Sequence, residues 1–340
     1  MPWKRTATVQ INHAGYAARQ FTGISVFRGA QSVFGWRKDS EKLAWAHDLP
    51  NDELFGMKRL AATPGSAITL CRTPAGTPKS IVWLDPATGA VQHEHTYTFE
   101  SSQNGFSATG DWLFLHGKTP ERRWALLRIS AQTGELLDQG DAPQGSTIHA
   151  VPGRIYLSEK RGDLFHSPVE RVQWTQADVT NVTNATLWHH QLYFFVAPST
   201  QQTPWQLAWW DATKGRPMGQ VSLEPEQALI INPGSQASVV MAHTMDLGLW
   251  VVDFEAGTCR WKLAPTNSDS IQAVCWTPHG PVVAIKPQDA ASRLELRDPA
   301  SGEIRETLPS TRYDVVHLYW LEDRLVASAV DGLDAFAWEG

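Results

Sequence analysis

Short apolar runs that end in turn residues recur along this chain at nearly constant spacing. The clearest is Ile81-Val82-Trp83-Leu84, followed at once by Asp85-Pro86-Ala87-Thr88-Gly89. The run is β-branched and aromatic and too short for a helix, so it predicts a buried strand. The turn after it has a mechanism. An Asp carboxylate accepts backbone N–H groups further along the turn, Pro presets φ for the next position, and Gly supplies the positive φ that a hairpin of this length needs. Related segments lead to Gly134, Gly215, Gly257 and Gly302, at intervals of 45, 81, 42 and 45 residues from Gly89 onward. The interval of 81 is nearly two periods and contains a degenerate copy, Asp163-Leu164-Phe165-His166-Ser167-Pro168. Ser32–Asp39 before the series and Leu333–Trp338 after it bring the copies to eight.

Four short strands repeating every 40–45 residues predict propeller blades. Spread over 340 residues, eight copies give a period of about 42, which matches the spacing. The chain is therefore expected to be all-β, an eight-bladed β-propeller forming a single domain over residues 1–340. Seven blades of about 49 residues are the alternative and leave one copy unassigned. Thr6 to Ile11 alternates polar and apolar residues, and the last copy, Leu333–Trp338, is a third strand with no fourth after it. The N-terminal strand is expected to supply that outer strand and close the ring, which removes open sheet edges.

The repeat resembles that of the quinoprotein-like β-propellers, the family with the pyrroloquinoline-quinone repeat Asp-x-x-Thr-Gly-x-x-x-Trp. Trp261 follows Gly257 by four, Trp45 and Trp174 take the same place in degenerate copies, and His93, Asp138, Gly219 and Glu306 replace the Trp elsewhere. The resemblance spans nearly the whole chain and implies the fold. The family includes both enzymes and scaffolds, so function has to be argued from sites. Its quinone enzymes bind calcium through carboxylate and amide ligands, and several carry a disulfide between adjacent cysteines. Cys71, Cys259 and Cys275 include no adjacent pair. A non-enzymatic member without a cofactor is expected. The alternative is an enzyme with a central-funnel site, either a quinone-dependent oxidoreductase or a hydrolase.

Charge and composition narrow this further. A net charge of −6 with pI near 6.0 argues against general nucleic-acid binding. Sixteen Trp suit the wedge-shaped gaps between blades. His93-Glu94-His95 has metal-like spacing on one strand face, but it falls on an outer strand where water competes for a cation. His189 and His190 point to opposite faces of an extended chain. No Cys-x-x-Cys, Gly-x-Ser-x-Gly or phosphate-loop pattern occurs. Sparse, odd cysteines and an N-terminus without an apolar leader point to the cytoplasm, or to the periplasm if a leader has been removed. No run of about 18 apolar residues predicts a membrane span.

The remaining candidate is the face bearing the fourth-to-first and second-to-third strand connectors. The fourth-to-first connectors carry Asp52, Glu53, Glu100, Asp141, Asp178, Glu224, Glu226, Asp269, Arg312, Tyr313 and Asp314. The second-to-third connectors carry bases, among them Lys118, Arg123, Lys286 and Arg293. An acidic mouth with a more basic rim would steer a cationic partner. The expected role is a non-catalytic scaffold, monomeric apart from its partner, that holds another protein with a basic surface on this face. One version resembles the envelope assembly scaffold of Gram-negative bacteria, and another masks a toxin or effector.

Overall fold

The computed structural model describes residues 3–11, 17–29, 32–38, 40–49, 60–63, 65–71, 79–145, 147–159, 162–188, 191–197, 205–223, 228–233, 239–244, 248–253, 256–264, 269–309, 312, 314–329 and 331–339. They form strands joined by turns and connectors. The first strand is Trp3–Gln10 (β1). Repeat one is Ala17–Phe21, Ile24–Arg28, Ser32–Trp36 and Leu43–Asp48 (β2–β5). Repeat two is Leu60–Thr63, Ser66–Cys71, Lys79–Leu84 and Val91–Tyr97 (β6–β9), and repeat three is Glu100–Thr109, Trp112–Lys118, Trp124–Ser130 and Leu136–Asp141 (β10–β13). Repeat four is Thr147–Val151, Arg154–Ser158, Leu164–Pro168 and Thr175–Gln176 (β14–β17), and repeat five is Val182–Trp188, Gln191–Val196, Trp205–Asp211 and Arg216–Leu223 (β18–β21). Repeat six is Ala228–Pro233, Val239–Thr244, Leu249–Asp253 and Thr258–Leu263 (β22–β25), and repeat seven is Asp269–Thr277, Gly280–Pro287, Arg293–Arg297 and Ile304–Pro309 (β26–β29). The last three strands are Val315–Leu321, Arg324–Ala329 and Gly332–Trp338 (β30–β32).

Each repeat is an antiparallel meander, as hairpin-length turns dictate, and the arrangement is a β-propeller. Hydrogen bonding groups the strands into seven sheets, six of four strands and one of eight. The expectation of eight separate blades is therefore not supported, and the count of sheets is the alternative, seven. The physical reason lies between repeats three and four. Their first strands β10 and β14 run parallel and pair at Asn104↔Thr147, which fuses the two meanders into the order β13-β12-β11-β10-β14-β15-β16-β17.

The core lies between the meanders. In repeat one, Ile24–Arg28 and Ser32–Trp36 are buried at every position, whereas Leu43–Asp48 alternates between half-buried and exposed. Middle strands are covered by neighbouring repeats on both faces, so they read as continuous apolar runs; outer strands either alternate, as Leu43–Asp48 and Thr258–Leu263 do, or are mostly exposed, as Val91–Tyr97 and Leu136–Asp141 are. Apolar clusters fill the gap between each pair of successive repeats. Val26, Val33, Val82 and Leu84 pack between repeats one and two; Ala7, Phe27, Trp36, Val326 and Leu333 pack where the two ends of the chain meet.

The turns behave as their residues require. The Asp85 carboxylate accepts the N–H groups of Ala87 and Thr88 at 2.8 Å each, and Asp298 repeats this with Ala300 (2.8 Å) and Ser301 (2.9 Å). Gly89 and Gly302 have φ of 72° and 76°. Side chains from the preceding repeat latch onto these turns. Trp45 donates to Pro86 O (2.9 Å), Trp83 to Ala131 O (2.8 Å), Tyr156 to Ala212 O (2.6 Å) and Trp261 to Pro299 O (3.2 Å). In every case the acceptor lies three residues before the turn glycine. Each glycine has a second role: a Cβ on Gly302 would stand 2.6 Å from the Trp261 ring.

The latch does not always come from the expected position. Gly35 faces Trp45, Trp83 faces His93, and Trp209 faces Gly219 across the third and fourth strands. One large ring fits at each pair, from either strand, which is why His93 and Gly219 stand where Trp was expected.

The ring closes as the alternating N-terminus suggested. β1 pairs antiparallel with β32, from Trp3↔Trp338 to Gln10↔Gly332. The junction is clamped by Arg312, 2% exposed, whose guanidinium reaches Asp334 Oδ1 (3.3 Å), Val9 O (3.0 Å) and Leu333 O (3.2 Å). Thr8 from β1 donates to the same Asp334 oxygen at 3.0 Å. Arg312 was expected on the docking surface. That expectation is corrected: its side chain is turned inward to join the two ends of the chain.

Candidate functional site

The fourth-to-first connectors place several of the expected residues along one rim. Asp52, Glu53, Glu224, Glu226 and Tyr313 lie outside the described residues, and Glu100 is described only as the first backbone position of β10, opposite Lys118. The others can be located. Asp141 ends β13 and sits 3.5 Å from Arg123 Nη1. Asp269 opens β26 and sits 2.8 Å from Arg293 Nη2. Asp314 lies 3.6 Å from Lys286 Nζ and accepts Gln272 Nε2 at 3.1 Å.

The structure thus brings acids of the mouth together with bases of the neighbouring connectors. Exposed pairs such as Arg123–Asp141, with side chains 68% and 84% exposed, contribute little stability. Their effect is on the field: paired charges steer less than the unpaired acidic ring expected from the sequence. Arg293 is held protonated, its pKa raised first by its bond to Glu295 and then by Asp269.

Asp178 differs from these. It is exposed in the connector between β17 and β18 and makes no ion pair with a described residue. It stands at the edge of a groove of about 780 Å³ on the face that repeat five turns toward repeat four. The floor is apolar, with Phe194, Val196, Ala208 and Trp210, and Met218 lies at its outer side, 53% exposed. Sequence reasoning missed this groove. The one available signal was the irregularity of repeat four, which lacks a turn glycine.

Titratable groups elsewhere hold strands together. His116 is fully buried, bonds Pro143 O through Nε2 at 3.0 Å and stacks on Trp124. Burial pushes its pKa down to about 4, although the bond to the Pro143 carbonyl opposes the shift. Glu295, 1% exposed, bonds Arg293 and Arg297. Burial pushes the Cys275 thiol up to about 12, so it behaves as a small apolar side chain. His95, half of the metal-like pair, packs edge-on against Trp83. Among the described residues no three His, Cys, Asp or Glu side chains converge on a point able to hold a metal ion. No helix among them is long and apolar enough to cross a membrane.

No family model matches the chain, and no curated protein matches it. Solved structures do. BamB from Moraxella catarrhalis superposes with a TM-score of 0.65 at 14% identity, over 98% of this chain and 99% of that one. The computationally designed Ika8 protein superposes with a TM-score of 0.70, also at 14% identity and with the same coverage. The cytoplasmic expectation gains no support from either likeness. At this identity the similarity shows architecture alone: the chain has the β-propeller fold also seen in BamB and Ika8.

Proposed function

We propose that this protein is a non-catalytic scaffold that holds another protein on its connector face. The observation that carries this reading is a division of labour among polar groups. His116, Glu295, Arg312 and Asp334 are buried and engaged in joining strands. Asp141, Asp178, Asp269 and Asp314 stand on one rim, three of them held by bases at 2.8–3.6 Å. A rigid ring with polar connectors fixed in this way offers a broad preorganised docking surface. The likeness to BamB is in keeping with this reading through the fold, and the envelope-assembly version of the role fits it without a separate site. The partner is a protein with a basic patch facing Asp141 and Asp178.

The test is affinity purification from the native cell with the intact chain as bait, repeated with Asp141→Lys/Asp178→Lys. A single co-eluting protein, reduced about tenfold or more by the double reversal, is expected. Recovery of no specific protein, or of one indifferent to both charges, would contradict the proposal.

A further inference from the structure

The first strand of each meander lies at the end away from its outer strand, as in the orders β2-β3-β4-β5 and β1-β32-β31-β30. In a propeller these first strands line the central channel. The eight of them, from Ala17–Phe21 to Val315–Leu321, hold three residues with a formal charge: Arg19, Glu100 and Asp269. Glu100 and Asp269 open their strands and so belong to the rim. Arg19 stands in the middle of β2. Among the described residues, the channel wall below the rim thus carries one formal charge, and it is a guanidinium.

No described carboxylate compensates that charge. Arg19 donates from Nη1 to Ala18 O at 2.8 Å, a carbonyl of its own strand, and has no ion pair. The titratable group that acts on it is Tyr319, on the first strand of the adjoining sheet. The Tyr319 ring packs edge-on against Phe27 at 5.9 Å. Burial raises its pKa, so the phenol keeps its proton and supplies no negative charge. Guanidiniums at the sheet junctions differ: Arg312 faces Asp334, and Arg297 faces Glu295.

Arg19 is also confined. Its side chain is open to water, yet burial among the surrounding protein pushes its pKa down against the opposing effect of Tyr319. Both hold for a cation standing in water between close walls; on an outer surface the desolvation would be absent. A charge so placed is normally met by a partner, and the described residues do not provide one.

We infer that the central channel binds a small oxyanion, a carboxylate or a phosphate, on Arg19. The planar fork of the guanidinium matches either group through two parallel hydrogen bonds. Low-dielectric walls of a narrow channel focus the field of the one cation onto its occupant. Acids of the rim do not cancel it, because Asp141, Asp269 and Asp314 are each held by a base of their own. Confinement between close walls selects a small ion over a protein segment. The inference goes beyond the scaffold reading, which uses the rim, and each can fail without the other.

The experiment uses the full chain labelled with 15N-arginine in chloride buffer, the Arg19 Nε–H signal being assigned by Arg19→Gln. Inorganic phosphate and succinate are titrated in turn at constant ionic strength, with chloride as the third arm. A saturable shift of the Arg19 signal with one or both oxyanions is expected, and none with chloride; the arm that saturates identifies the group bound. The same oxyanion should raise the melting temperature of the wild type and of Arg37→Gln, an exposed arginine outside the channel, and leave Arg19→Gln unmoved. In chloride alone Arg19→Gln should melt no lower than the wild type, because no opposite charge is left stranded. Four results overturn the inference. They are absence of a saturable shift with both oxyanions, an equal response to chloride, stabilisation that persists in Arg19→Gln, and a lower melting temperature of Arg19→Gln in chloride, which would mean that the charge already has a partner.

Discussion

Arg312 shows how much one side chain can carry in a closed ring. Its guanidinium is 2% exposed, faces a fully buried Asp334, and bonds backbone carbonyls of both β1 and β32. Breaking a buried pair by removing one partner costs about 3–5 kcal/mol, because the other charge stays buried and uncompensated. Arg312→Met should therefore lower stability by about that amount in denaturant unfolding. Arg312→Met/Asp334→Leu should recover a large part of the loss, since no charge is then stranded. A second residue sets a pH dependence. His116 has its pKa lowered to about 4, while the unfolded value stays near the usual 6.5. The unfolded chain then binds the proton more readily, so the contribution is fully present above pH 6.5 and is lost as pH falls from there toward 4. Thermal melts across that window should show a falling midpoint, equivalent to a loss on the order of 3 kcal/mol from His116 at the low end, and His116→Gln should reduce the slope without abolishing it, because burial lowers the His149 pKa to about 4 as well.

At the scale of elements, the turns were legible and the outer strands were not. A turn with Asp at its start and Gly at its end can be read because each residue meets a local backbone demand, and Gly89, Gly134 and Gly302 all adopt the positive φ they were assigned. The face of an outer strand depends instead on a register shift that no single residue announces. Trp174 has the spacing of the repeat Trp, yet it precedes the two-residue strand Thr175–Gln176 and packs against the cluster between repeats three and four. Arg312 reads as a surface charge in the sequence because half of its clamp, the Val9 carbonyl of β1, lies 303 residues away along the chain. The candidate site suffers similarly: the acids of the connectors were visible, their pairing with Arg123, Arg293 and Lys286 was not, and the groove arises from side chains contributed by three strands. β1 gives the sharpest prediction here. A Cβ on Gly332 would run into the Val9 carbonyl and the Arg312 guanidinium, at φ of 156°. Gly332→Ala should therefore destabilise the fold by several kcal/mol, of the order assigned to strained backbone positions combined with overpacking (about 2–5). Deletion of residues 1–12 should lower the melting temperature and expose the β32 edge, seen as concentration-dependent association.

For the whole molecule, closure determines everything that follows. A ring whose first strand is the outer strand of its last meander has two defined faces, and one of them carries the connectors from Asp141 to Asp314 together with the groove at Asp178. Among the described residues seven hydrogen-bonded sheets are stacked through apolar clusters beneath that face. Amide hydrogen exchange on the intact chain tests this account most directly. It predicts that Trp3–Gln10 exchanges as slowly as Gly332–Trp338, its partner in the sheet, with both opening only in the global transition. Exchange of Trp3–Gln10 at the rate of a frayed terminus, while Gly332–Trp338 remains protected, would contradict it.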